Sequence, residues 1–175
     1  TTDIPIVATA GAKNVLYTTA TVDGNVSSDK GAAVTERGVC WATTATPTVS
    51  DNKVTGGTGT GAFSVSITGL TDATTYYACA YAVNNVGTAY GEIVSFTTKE
   101  ITIPTLSTTN ATMIEFNSAT VGGNVTSDNG ATVTERGVCW ATTANPTVSN
   151  DKKTSGTGTG SFMVTLSSLS EGTTY

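Results

Sequence analysis

Residues 4–76 and 103–175 are one sequence written twice, aligned without a gap at an offset of 99. Ile4-Pro5 matches Ile103-Pro104, and Ala20-Thr21-Val22 matches Ala119-Thr120-Val121. The run TERGVCWATTA over 35–45 returns unchanged over 134–144, and roughly three-fifths of the aligned positions are identical. Self-similarity at a fixed period marks an array, but this period far exceeds the ~20–50 residues of solenoid units. Each copy must therefore close its own core, with one domain expected over 1–99 and a second over 100–175. Adjacent copies of a small module suit reach, spacing and multivalent contact better than they suit chemistry.

Composition narrows the fold class. The chain is 38% apolar, enough for a small core in each copy, and only 12% charged, about half the usual share. Thr, Ser, Gly, Val and Ala stand where charges would be. Thr and Val favour pleated, half-buried surfaces and Gly supplies turns, while runs of Leu, Glu, Lys and Gln at helical spacing are absent. An all-β protein is expected. The net charge of −5 and only eight basic residues argue against a nucleic-acid partner, because phosphate binding needs clustered Lys and Arg. No apolar run reaches the ~18 residues of a membrane span, so no membrane insertion is expected. The first residues lack the basic-then-apolar pattern of a signal peptide.

Each copy divides into short alternating runs punctuated by Gly, Asn, Asp and Pro, the pattern of a sandwich. In the first copy, strands are expected near 6–10, 18–26 and 34–44, with a turn at Ser28-Asp29-Lys30-Gly31. Pro47 forbids a central strand after them, and 51–61 (DNKVTGGTGTG) reads as loop or weak edge strand. Phe63, Val65 and Ile67 alternate with Ser64 and Ser66, which puts three apolar side chains on one face of a fourth strand. Two more strands follow at 75–84 and 89–98.

This order resembles the fibronectin type III fold, an immunoglobulin-like β-sandwich. The match is best at Ile67-Thr68-Gly69-Leu70 followed by Thr75-Tyr76-Tyr77. It covers the first copy entirely and the second as far as the chain runs. The wording ERGVCW, GTGTG and TTYY…AYAVNNVGTAYG…VSFTT resembles tandem repeats of secreted and surface-attached bacterial proteins. The resemblance implies a tyrosine corner: Tyr76, and Tyr175 in the second copy, pack inward and hydrogen-bond back across the corner. It also implies a core around Trp41, Phe63 and Leu70, with Trp140, Phe162 and Leu169 as their counterparts. The family's strand-B Trp position falls on Gly24 (Gly123), so Gly24 is expected to make room for the Trp41 ring, a volume-conserving exchange. The second copy stops where its strand F would begin, and is expected to lack its last two strands. Three accounts compete for that open end: a longer array that continues, a strand donated by another chain in a donor-strand or homo-oligomeric contact, and local disorder.

Candidates for chemistry are few. The chain has no His, which removes the usual general base, the Ser-His-Asp triad and HExxH zinc sites. The acids that recur in both copies are Asp29/Asp128, in a turn where they can cap their own backbone, and Glu36/Glu135, beside Arg37/Arg136 in surface ion pairing. Neither makes a pocket-lining cluster. No catalytic residue, metal or cofactor is expected, and the chain is not expected to be an enzyme. The Gly-rich loops at 56–61 and 156–160 lack the strand, helix and Lys of a phosphate cradle, so flexible loops are the better account. Asn25-Val26-Ser27, Asn110-Ala111-Thr112 and Asn124-Val125-Thr126 fit the glycosylation pattern, relevant only in a host that glycosylates secreted chains. Asp51-Asn52 and Asn150-Asp151 lack EF-hand spacing.

Cysteines and tyrosines supply the remaining candidates. If Val39 and Trp41 face the core, Cys40 faces outward, and Cys79 does likewise between Ala78 and Ala80. The family's strands C and F are neighbours, so the two sulfurs can meet on the sheet's outer face. They form a disulfide in an oxidising compartment or remain two free thiols under other side chains. Cys139 has no partner within the chain. Tyr77 and Tyr81 are expected on that same outer face, either as a surface for sugars or proteins or as support for cross-strand neighbours. The short joint Thr97-Thr98-Lys99-Glu100-Ile101-Thr102 implies a semi-rigid pair. The expected role is a non-catalytic extracellular or cell-surface module: a spacer, stalk, filament or adhesion segment whose partners are neighbouring repeats. The alternative is a glycan- or protein-binding accessory module of a larger secreted protein.

Overall fold

The alternation at 61–68 shows how each unit is built. In the computed structural model, which describes residues 1–175, strand β5 (Gly61–Thr68) buries Phe63, Val65 and Ile67 and exposes the residues between them. Its neighbour β2 (Thr19–Ser28) presents Gly24, Val22 and Ala20 directly opposite those three side chains. With β1 (Ile6–Lys13) on the other side of β2, the first sheet has the order β1-β2-β5. The second sheet is centred on β3 (Glu36–Ala42) and β6 (Thr75–Val83), antiparallel neighbours, with β4 (Asn52–Gly57) at one edge. At the other side β7 (Thr88–Tyr90) and β8 (Val94–Thr97) pair successive stretches of β6, so the expected last strand is two short ones. Of the two readings of 51–61, loop or weak edge strand, the structure shows the edge strand over 52–57, paired with β3.

Between the sheets lie Val22, Val26, Val39, Ile67, Ala78, Ala80 and Ala82, each at most 2% exposed, with Phe63, Leu70, Tyr76 and Phe96 around them. The Tyr76 and Phe96 rings stack at 5.9 Å. Small residues on β6 let the opposite sheet come close. The expected place of Trp41 is corrected here: a Cβ on Gly24 would lie 2.4 Å from the Phe63 ring and 2.8 Å from Ala80. Phe63 fills that space, and Trp41 is half-buried at the margin of the core. Phe63 is two positions along β5 from Val65 and directly opposite Gly24, so it reaches the gap with no backbone adjustment.

The chain divides into two compact units, Thr1–Glu100 and Ile101–Tyr175. The second unit repeats the first sheet as β9 (Thr105–Thr108), β10 (Ala119–Ser127) and β13 (Gly160–Leu166), in the order β13-β10-β9. Its second sheet is the pair β11 (Gly137–Trp140) and β12 (Asp151–Thr154). Phe162, Val164, Leu166, Val125 and Val133 are buried, but Trp140 and Leu169 are half-buried and Tyr175 is 45% exposed.

Candidate functional site

The residues that recur with chemistry attached are Glu36-Arg37 at the head of β3, the GTGTG loop, and the Cys40/Cys79/Tyr81 face. Arg37 does not pair with its neighbour Glu36. Its Nη1 donates to the carbonyls of Gly59 (3.3 Å), Thr60 (2.8 Å) and Gly61 (3.0 Å), and its Nε to Gly56 (3.4 Å). The guanidinium also lies 5.2 Å from the Phe63 ring centroid, within cation–π range. Gly57, Gly59 and Gly61 all take positive φ, +104°, +73° and +104°. That left-handed backbone, which glycine adopts without a Cβ penalty, curls the loop until its carbonyls converge on one cation. Every second residue is glycine for that reason. The loop that read as flexible is a carbonyl cradle for its own arginine, and it carries the chain from one sheet to the other.

The second unit builds the same cradle. Arg136 Nη1 donates to Gly158, Thr159 and Gly160 at 3.3, 2.7 and 3.1 Å, and lies 5.5 Å from Phe162. The signal was present in the sequence: an Arg and a GTGTG at the same separation in both copies. A lone reading of either half missed it because the partners are some twenty positions apart.

Glu36 turns instead to Lys53 of β4, at 2.7 Å, and accepts a 2.5 Å hydrogen bond from the Tyr81 hydroxyl. Lys53 chiefly, and Tyr81 next, hold the Glu36 carboxyl below its ordinary value. Burial, followed by the facing carboxylate, pushes the Tyr81 phenol up. Lys53 Nζ also stands 5.6 Å from the Tyr81 ring centroid. The expected exposure of Tyr81 is therefore corrected: it is fully buried, and only Tyr77 stays half-exposed. The Tyr81 ring lies on the outer face of the second sheet, but that face is covered. The 43–51 loop folds over it, placing buried Pro47 and half-buried Val49 above the sheet. Tyr90 anchors this cover by accepting the Val49 N–H at 3.2 Å.

Cys40 and Cys79 sit under the same roof, exposed by 0% and 1%. They are direct cross-strand partners with their sulfurs 3.4 Å apart, both as free thiols. Cys40 is held above the ordinary thiol range by its hydrogen bond to Cys79 and by burial; Cys79, accepting that bond, is drawn down. Both therefore point outward as expected, yet neither meets solvent.

The remaining candidates hold their own backbone. The Asp29 carboxylate accepts from the Gly31 N–H at 3.0 Å, and Asp128 from Gly130 at 3.1 Å. Asp51 caps Thr48, and Asn150 caps Thr147. Tyr76 Oη accepts from the Thr71 N–H at 3.0 Å, and Tyr175 from Ser170 at 2.9 Å, so the corner is made in both units. Open apolar grooves occur in the second unit, one beside Val138, Val148 and Phe162 and another beside Val121, Trp140 and Leu166. The charged residues on the first are all tied within the unit: Glu135 to Lys152, Arg136 to the loop carbonyls and Lys153 to the Thr165 carbonyl. No three His, Cys, Asp or Glu side chains stand together as a metal-binding group.

The sheet order β1-β2-β5 against β4-β3-β6 with the β7/β8 edge defines the class: an all-β protein of tandem fibronectin type III-like sandwiches. No family model matches the chain, and no match was found among curated proteins. Among solved structures, the third fibronectin III domain of human KIAA0343 protein is 20% identical, covering 60% of this chain and 91% of its own, with a TM-score of 0.43. The sensor domain of the anti-sigma factor RsgI4 of Pseudobacteroides cellulosolvens is 14% identical, covering 57% and 99%, at 0.41. A two-domain fibronectin type III segment of chicken tenascin is 17% identical, covering 98% and 86%, at 0.34. The class assignment rests on the strand order and register above.

Proposed function

We propose that the chain is a non-catalytic structural module of a secreted or surface-attached protein, a spacer or stalk segment that also serves in adhesion. The observation that carries this reading is where the recurrent polar side chains go. Arg37/Arg136, Glu36/Glu135, Asp29/Asp128 and Tyr76/Tyr175 all bind their own unit. Duplication has kept the devices that hold a sandwich together, and none of them presents a free acid, base or nucleophile to a substrate. The alternative of a glycan- or protein-binding face at Tyr77 and Tyr81 loses support, since Tyr81 is buried beneath the 43–51 loop.

Single-molecule pulling on the full chain between two handles tests this reading. A stalk segment holds its folded length until a distinct unfolding event. It then releases a contour of roughly 3.5 Å per residue and refolds on relaxation. Extension without a resolved event in the first unit would overturn the mechanical role. Adhesion is read separately, by whether beads coated with the chain bind cells of its source and whether antibody reaches it on their surface.

A further inference from the structure

The buried cysteine pair has no part in the stabilising devices shared by the two units, and its geometry is that of a bond waiting to form. Directly opposed antiparallel residues keep their Cα atoms about 4.5–5.5 Å apart, inside the roughly 4.4–6.8 Å range of disulfides. Cys40 and Cys79 are such a pair. Their sulfurs, 3.4 Å apart, need to close by about 1.3 Å to reach bonding distance, a movement within reach of side-chain rotation. Beyond each other, Cys40 Sγ faces the Cys79 carbonyl and Cys79 Sγ the Pro47 carbonyl; Tyr81 packs in the same cluster and the Asp51 carboxylate acts on Cys40 electrostatically.

We propose that Cys40 and Cys79 form a cross-strand disulfide that clamps β3 to β6 in the first unit. The oxidant is a disulfide donor, either a small dialkyl disulfide or a disulfide-bearing oxidoreductase. One cysteine attacks the donor as its thiolate, forming a mixed disulfide and expelling one donor thiolate. The other cysteine loses its proton to solvent, attacks its neighbour's sulfur and expels the second donor thiolate. Two thiols of the chain thereby become one S–S bond, and the donor becomes two thiols. Exchange proceeds while the Pro47–Val49 cover is lifted or not yet docked. Once the cover closes, it excludes reductant as well.

The clamp has two consequences. Residues 41–78 form a closed loop, so tension on the chain ends cannot extend them even if the sandwich opens. Closing a loop of that size restricts the unfolded chain enough to raise the folded-to-unfolded ratio on the order of several hundred-fold. Cys139 occupies the equivalent position on β11, half-buried, with its sulfur on the Pro146 carbonyl.

The test uses the full chain carrying Cys139→Ser, which leaves only the proposed pair. It is refolded in a buffer of oxidised and reduced glutathione, denatured, alkylated and weighed. The expected result is a chain that takes up no alkyl group where the dithiothreitol-treated sample takes up two, and that before alkylation is lighter than that sample by two hydrogens. Trypsin, cutting after Arg37, Lys53 and Lys99, then yields the peptides bearing Cys40 and Cys79 as one linked species. Two alkylatable thiols at equilibrium, or glutathione adducts without a linked peptide, would overturn the proposal. The unsubstituted chain provides a second readout: one alkylatable thiol, Cys139, supports the clamp and three refute it. Oxidation should also raise resistance to urea, and Cys40→Ala with Cys79→Ala should abolish that gain; an undiminished gain would refute the assignment.

Discussion

The run TERGVCWATTA folds twice in this chain, and the two copies end in different surroundings. In the first unit β3 lies between β4 and β6; Cys40 is fully buried and Val39 is sealed on both faces. In the second unit β11 pairs only with β12, and Val138, Cys139 and Trp140 are all half-buried. Yet the arginine cradle, the tyrosine corner and the aspartate-capped turn are made in both, to within a few tenths of an ångström. The comparison separates two kinds of information. Devices whose partners lie within one sheet edge or one turn are specified locally. Burial of the same side chains depends on a strand contributed from elsewhere in the sequence.

Core truncation should widen the contrast most. Leu70 is 5% exposed whereas Leu169 is half-buried. Leu70→Ala is expected to cost about 2–4 kcal/mol, and Leu169→Ala under about 1 kcal/mol. Each unit holds a single tryptophan, so urea titrations in a Trp140→Phe or Trp41→Phe background report on one unit at a time. Equal losses would erase the distinction between closed and open cores. The arginine cradle should show the opposite behaviour. Arg37→Ala and Arg136→Ala are each expected to cost about 2–3 kcal/mol through several charge-assisted bonds. Lysine should restore little, because it lacks the planar fork. A loss below about 0.5 kcal/mol in either unit would show that the shared geometry contributes nothing there.

The corner should fall between these cases. Tyr76→Phe leaves a part-buried Thr71 N–H without its acceptor, a loss of about 1 kcal/mol. Tyr175→Phe should matter less, since water reaches the exposed Ser170 N–H; a larger effect there would reverse the ranking. The smallest effect is acid sensitivity. Glu36 and Asp23 are both held below their ordinary values of 4.5 and 3.8, chiefly by hydrogen bonds from Lys53 and Lys13 respectively. Their folded pKa values lie below the unfolded ones. The stability they supply is therefore present above about pH 4.5 and is lost as pH falls through the folded values. Glu36→Gln should flatten that acid limb by under about 1 kcal/mol for so exposed a pair. An unchanged slope in acid titration would remove Glu36 from the account.

What could be read from the sequence follows the same division. The 61–68 alternation, the Tyr76 corner and the β-sandwich class were legible because a period of two and a fixed short spacing carry them. The burial of Tyr81 was not, and for Cys40 and Cys79 cover by other side chains was only one of two open readings, because period two assigns a face but says nothing of what covers it. The cover is a loop around Pro47 and Val49, whose apolar content is too slight to announce a second small core. Trp41 was misplaced for a related reason. The gap at Gly24 was read correctly as space for a ring, but two rings were near enough to fill it. Register, which sets Phe63 directly opposite Gly24, decided between them.

Residue-resolved hydrogen exchange on the full chain tests the central claim most directly. Because 35–45 and 134–144 are identical, their internal amides share the same intrinsic exchange chemistry, and any difference comes from structure. The account predicts protection of amides throughout 37–41, on both edges of β3. Along 137–140 it predicts that amides bonded to β12 stay protected while those on the free edge exchange orders of magnitude faster. Matching protection at every equivalent pair would contradict it.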